Sequence, residues 1–246
     1  AVLWLVDLFR GGQPRKHAWR LPLLVCLVAA LAAAQLLPFL DLAAHSQRDT
    51  GYADSHWALP LRGWANFFVP MAFGRIWNMG VFFQHDQAWT SSYYLGMAAT
   101  LLALFALWRG RDRRVWLLGG AAALALLFAL GDQFVIVRAL RHAVPQLALM
   151  TYPVKFLIVV AFLVPQLAAF GLAHLRTSEP RPIPVVVGPG AVILLLITGI
   201  LWWAWRFPLP GDDPQATLLN GLARVGFLTA SVLLLLTLTR PNARFR

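Results

Sequence analysis

The sequence predicts an all-α protein, a polytopic transmembrane helical bundle of about six spans with interfacial helices in its outer loops. Three observations carry this. Of 246 residues, 59% are hydrophobic and only 13% charged, against about 25% charged in ordinary globular domains. Stretches such as 115–131, 155–175, 184–205 and 217–239 approach or exceed the roughly 17–25 apolar residues that cross a bilayer as a helix. Finally, the net charge of +11 sits in short basic clusters between apolar runs. That distribution sets topology in a membrane protein and argues against nucleic acid as a partner.

The expected spans are 21–40, 93–108, 115–131, 155–175, 184–205 and 217–239, in one transmembrane domain over 1–246. The opening "AVLWLVDLF" is too short to span and lacks the basic leader and small-residue cleavage site of a signal peptide. Residues 1–9 therefore read as the remnant of a preceding span, and the chain as a fragment lacking its N-terminal part. The runs at 93–108 and 115–131 are short, and the small residues of "GGAAALALLFALG" let helices approach closely, so these two are expected to pack as a hairpin. The proline-rich "EPRPIPVVVGPG" marks the start of a span, not a domain boundary.

Charges sort between these runs. Segments 10–20, 109–114, 176–181 and 240–246 hold thirteen of the 21 Lys and Arg, whereas 41–92, 132–155 and 206–216 hold seven basic and seven acidic residues. Basic loops face the cytoplasm, so loops 41–92, 132–154 and 206–216 are expected outside. Trp108, Trp116, Trp202, Trp203, Trp205, Tyr93 and Tyr94 fall at span ends, where amphipathic rings anchor at headgroup level. The single Cys26 excludes an internal disulfide and a cysteine metal cluster.

The outer loops carry the polar candidates. The aromatic stretch "DSHWALPLRGWANFFVPMAFGRIWN" is expected to lie along the membrane surface. In "FVIVRALRHAVPQL", Ile136, Val137, Leu140 and Val144 share one helical face while Arg138, Arg141 and His142 share another, which predicts a flat amphipathic helix offering cations to an anionic headgroup. Asp132, just before it, is a candidate cap for that helix. Asp41, His45 and Arg48 follow at helical spacing, so a carboxylate, an imidazole and a guanidinium could converge, the first as a general base and the last on a phosphate; a polar helix end with an i, i+4 pair explains the same residues. Arg224 lies inside the last span with Asn220 one turn earlier; it must face protein or snorkel to the interface. Lys155 opens a span from the outer side, against the positive-inside preference, and with Arg138 and Arg141 would make a patch for a lipid phosphate. Sequence signatures of soluble enzymes (CxxC, HExxH, Walker loop, nucleophile elbow) are missing from the chain.

The order "AAAQLLPFLDLAAHSQR", aromatic loop, "SSYYLGMAATLLALFALW", then "LGDQFVIVRALRHAVPQLALMTYPVKFLIVVAFLVPQLAAFGLAHL" resembles the YfhO-like family of bacterial membrane proteins, over roughly residues 21–175. These belong to the C-type glycosyltransferase superfamily, multi-span enzymes that take a sugar from a polyprenyl-phosphate carrier on the outer membrane face. The family pattern of an aromatic before proline and a basic residue before phenylalanine falls on Tyr152, Pro153, Lys155 and Phe156. Where an arginine often precedes the aromatic, this chain has Thr151, one cation fewer. The superfamily's catalytic acid normally lies in the first outer loop, which on this alignment precedes residue 1.

The resemblance implies a bacterial inner-membrane glycosyltransferase with a polyprenyl-phosphate-linked sugar as donor and an envelope glycan or polymer as acceptor. Lys155, Arg138, Arg141 and Tyr152 would hold the phosphate end, Arg48 and His45 the sugar side, and Asp41 is the one catalytic candidate inside this chain. Such chemistry needs no nucleotide outside the cell. It is compatible with a divalent metal, although no ligand cluster supports one. A lipid or glycolipid transporter or flippase, or a non-catalytic assembly subunit, would use the same vestibule without making a bond.

Overall fold

The computed structural model describes residues 19–45, 57–76, 82–84, 90, 92–110, 112–144, 152–177 and 183–238. Residues 1–9, expected as the remnant of a span, lie outside them. The chain divides into two compact units, 1–51 and 52–246. The first unit contains α1 (Arg20–His45), a helix of 26 residues with Pro38 in its interior. Proline has no N–H to give the ladder, so one backbone bond is lost there.

The second unit holds α2 (Met97–Arg109), α3 (Arg113–Ala129), α4 (Val135–Ala143), α5 (Leu157–Thr177), α6 (Ile183–Arg206) and α7 (Pro214–Leu238). A two-stranded antiparallel ribbon, β1 (Gly74–Ile76) and β2 (Phe82–Gln84), pairs Gly74 with Gln84. This ribbon is the one departure from all-α among the described residues. Each expected span is helical. Three helices, over Pro153–Leu175, Val187–Arg206 and Pro214–Thr237, are long and apolar enough to cross a membrane, whereas the apolar helices Pro22–Gln35 and Met97–Arg109 are shorter. The chain thus reads as an α-helical membrane protein.

Local chemistry fixes the helix ends. Asp112 caps α3 by accepting from Arg114 N at 2.8 Å. Asp213 accepts from Gln215 N and Ala216 N at 3.0 Å each, with Pro214 opening α7. Both arrangements satisfy first-turn N–H groups that lack a helical partner, and proline suits the first helical position because its missing N–H is not needed there.

Packing departs from the expected hairpin. Helices α2 and α3 meet only slightly; α5 packs extensively against both. The cause is where the small residues point. On α3 the inward stripe is Val115, Leu118, Ala122, Ala125 and Ala129, at alternating spacings of three and four that keep one face turned in. On α5, Gly171 sits directly on the backbone carbonyl of Leu102 in α2, where any Cβ would collide. Close backbone approach of this kind is what small residues permit in membrane helices. Helices α6 and α7 form a second close pair, with Gly221 against Leu201.

The aromatic stretch within 57–76 does not lie on a surface as expected. Leu59, Val69 and Ala72 are completely buried and Phe73 nearly so. The 3-10 turn Leu61–Phe67 and the residues after it drop into the helix bundle, where Ala65, Val69, Ala72 and Phe73 join one core cluster with Met97, Leu101, Ile193, Ile197 and Leu228. Only Leu61, Arg62 and Trp64 of this turn stay exposed. Burial of the remaining apolar side chains outweighs the surface alternative, at about 25 cal/mol per Å² of apolar area withdrawn.

Candidate functional site

Loops of the second unit gather at one end of its helices. Leu59 N donates to Ala129 O at the end of α3 (2.7 Å), and Gln133 Nε2 donates back to Leu59 O (3.3 Å). Phe73 meets the ring of Trp203 near the end of α6, and Asn220 near the start of α7 donates to Met71 Sδ at 3.3 Å. Trp57 packs edge-on against Tyr152 before α5, with ring centroids 5.4 Å apart. This loop-rich end holds Arg62, Arg138, Arg141, Lys155 and Arg224.

Lys155 lies in the 3-10 turn Pro153–Phe156 that leads into α5. Pro153 and Val154 are buried and Lys155 is exposed, so the turn is pinned by its first two side chains and presents the third. The ammonium Nζ sits 4.7 Å from the centroid of the Tyr152 ring, within range of a cation–π contact. With Trp57 edge-on against the same tyrosine, the result is a cation on one ring of an aromatic pair. Trp57 holds φ +61°, a left-handed conformation uncommon outside glycine, so the surrounding contacts fix its position at some cost in strain.

Helix α4 is built differently from the expected flat amphipath. Val137 and Arg141, one turn apart, are its buried residues, while the supposed apolar face is exposed at Ile136 (65%), Leu140 and Val144 (both 37%). Asp132 explains the inversion. Its carboxylate accepts from Arg141 Nη1 at 2.5 Å, and its backbone carbonyl accepts from Arg138 Nε (2.9 Å) and Nη2 (2.6 Å). Asp132 therefore does not cap α4; Phe134 stands at that position without a side-chain cap. The patch predicted from Arg138, Arg141 and Lys155 shrinks accordingly, because Arg141 is buried and neutralised. Arg138 and His142 stay exposed.

Arg224 is half-buried and meets protein groups. Its guanidinium carbon lies 4.4 Å from the centroid of the Tyr94 ring and 5.6 Å from that of Phe227, and Nη2 is 3.4 Å from Asn220 Oδ1. Tyr93 and Tyr94 correct the anchor expectation: Tyr93 is 5% exposed, and Tyr94 accepts from Met97 N through its hydroxyl (3.0 Å) while its ring carries Arg224. Trp108, Trp116, Trp202, Trp203 and Trp205 are exposed, as interfacial anchors require.

In the first unit, His45 Nδ1 lies 2.9 Å from Asp41 O and 3.3 Å from Asp41 Oδ1 in an exposed i, i+4 pair. Arg48, the third member of that expected group, lies outside the described residues, as does Thr151. Among the described residues no three His, Cys, Asp or Glu side chains gather as metal ligands would.

Trp57, Arg62, Asn66 and Tyr94 take positions that the sequence did not assign them. Arg62 lies over Phe73 and Trp203 (5.6 and 6.0 Å to the centroids). Asn66 is completely buried, and neither of its side-chain polar atoms has a partner; an amide inside the apolar run "WANFFVP" was a readable signal. Trp57 and Tyr94 act through contacts distant in sequence, which no local pattern marks. No protein family, no curated protein and no solved structure matches this chain, so the likeness to the YfhO-like family rests on the quoted motifs alone.

Proposed function

We propose that the chain is part of an integral membrane glycosyltransferase of the bacterial inner membrane, with about six spans and with loops 41–92, 132–154 and 206–216 outside. It moves a sugar from a polyprenyl-phosphate-linked donor to an envelope glycan or polymer. The observation that carries this reading is the stack of Lys155 on Tyr152 with Trp57 beside it. Aromatic rings offer flat apolar faces to the C–H faces of a sugar ring. The lysine held over one of them supplies a point charge for the phosphate that leaves with the carrier. Arg138, exposed at the same end, adds a second cation, and stabilising the developing phosphate charge is the largest catalytic effect these groups offer.

The test is transfer of labelled sugar from a lipid-phosphate donor in membranes containing the protein. Lys155→Ala and Trp57→Ala are expected to lower the rate by about tenfold or more, on the scale of one charge-assisted contact. Undiminished transfer in both variants overturns the assignment of the site. Transport of a lipid-linked sugar is the second reading, favoured by a single observation: Arg224 turns into the protein from within a span, as intramembrane charges of transporters do. Translocation of a fluorescent glycolipid in proteoliposomes, without transfer, would decide for it.

A further inference from the structure

The guanidinium of Arg224 is arranged as a receptor for an anion. Its face is covered by the Tyr94 ring at 4.4 Å. An arginine stacked in this way still presents its N–H donors in the guanidinium plane, at the edge, where carboxylate and phosphate oxygens bind. That edge is poorly served by the protein. Nε is buried without a hydrogen-bond partner, Nη2 has only the long 3.4 Å contact to Asn220 Oδ1, and among the described residues no carboxylate pairs with it. The side chain as a whole is half-buried, so part of the edge remains within reach.

The surroundings are fixed in place. Asn220 Nδ2 donates to Ala216 O (3.2 Å) and to Met71 Sδ (3.3 Å), which turns Oδ1 toward Arg224. Met71 itself holds φ +69°, a strained conformation for a side-chain-bearing residue, of the sort that clusters at ligand sites. The same chain segment buries Asn66 completely, with both amide atoms unpartnered. Its neighbours Ala65 and Val69 share a core cluster with Leu228, one turn beyond Arg224. Native folds leave few buried polar groups unsatisfied, and each calls for a reason.

We propose that Arg224, presented by Tyr94 and Asn220, is an anion-binding site inside the helix bundle, taking a phosphate oxyanion either from a lipid headgroup or from free phosphate. This site is separate from the Lys155 stack and does not rest on the glycosyltransferase reading. The experiment measures equilibrium binding of radiolabelled inorganic phosphate and, in a second arm, of a radiolabelled short-chain phosphatidic acid, to the purified protein in neutral detergent. Short-chain diacylglycerol serves as the uncharged competitor. Saturable binding is expected in at least one arm; binding confined to the second identifies a lipid headgroup, and binding in both identifies the phosphate group alone. Arg224→Gln should weaken it about tenfold, the scale of one charge-assisted bidentate contact. Arg224→Lys keeps the charge but lacks the flat fork that stacks on Tyr94 and presents paired donors, so it should recover only part of the affinity lost in Arg224→Gln. Equal affinity in parent and Arg224→Gln overturns the proposal, as does absence of saturable binding in both arms, or competition by diacylglycerol as strong as by unlabelled phosphatidic acid. Should Arg224→Gln fail to fold, Tyr94→Leu removes the ring and keeps the cation. Its expected effect is a loss of several fold, and unaltered affinity there overturns the proposal equally.

Discussion

Two arginines at the loop-rich end of the second unit are withdrawn from water in opposite ways. Arg141 is more deeply buried and sits on the carboxylate of Asp132 at 2.5 Å. Arg224 is half-buried and sits on an aromatic ring, with a buried Nε that bonds to nothing. A guanidinium matched to an internal carboxylate is complete, so its chemistry ends in the fold. One held by rings and a neutral amide keeps a net charge and an open edge, so its chemistry is directed elsewhere. Position in the sequence would rank them the other way, because Arg141 lies on a helix with a polar face and Arg224 within a span.

The largest expected effect tests the first half of this contrast. Asp132→Ala leaves Arg141 buried without its counter-charge and should destabilise the protein by about 2–4 kcal/mol, read as a lowered unfolding midpoint in detergent. Arg138 is spared, since its bonds go to the backbone carbonyl of residue 132, which the substitution keeps. Replacing both partners, Asp132→Leu with Arg141→Leu, should restore stability to within about 1 kcal/mol of the parent, because apolar pairs of suitable volume substitute well for buried ion pairs. A double variant as unstable as the single one would mean that Arg141 has a role beyond its pair.

Asn66 tests the second half, with a smaller effect of opposite sign. Its amide is buried with no partner. The near-isosteric Asn66→Leu should therefore raise stability by about 1–2 kcal/mol by removing the desolvation penalty of unpaired polar atoms. If Asn66 serves ligand binding beside Arg224, the same variant becomes more stable and binds phosphate less well, the usual exchange at functional sites. Gain of stability with unchanged phosphate affinity would confine the ligand site to Arg224, Tyr94 and Asn220.

Much of the helix pattern was legible because apolar run length and helix-end chemistry are local. The expected runs from 21–40 to 217–239 match α1, α2, α3, α5, α6 and α7 to within a few residues. What failed was the step from local pattern to partner. The amphipathic reading of 135–143 identified the helix and a buried Val137 but missed the burial of Arg141, because Asp132 pulls Arg141 inward and no periodicity encodes that ion pair. The small residues of α3 did signal close packing, on two sides: Ala125 and Ala129 cluster with Leu157 and Val160 of α5, and Gly119 sits on Leu107 of α2. In the candidate site, Lys155 was readable from its odd placement at a helix mouth and Tyr152 only through the family pattern, whereas Trp57 reaches Tyr152 only through the tertiary fold. Arg48 lies outside the described residues, so the group it was expected to form with Asp41 and His45 is seen only at those two residues.

Asp41 and His45 supply a third way of arranging charge, and the smallest expected effect. Both side chains are 78% exposed, and the imidazole is 3.3 Å from the carboxylate one helical turn away. Water solvates each nearly as well as the other does, and holding two side chains together costs rotamer entropy. Asp41→Ala should therefore change stability by less than about 0.5 kcal/mol, a difference that high salt removes by screening. If Asp41 also contacts the sugar, the substitution lowers transfer of labelled sugar while the unfolding midpoint stays put. Here stability and activity separate cleanly, as they cannot at Asp132, because an exposed carboxylate contributes so little to the fold that a loss of transfer could not be blamed on unfolding.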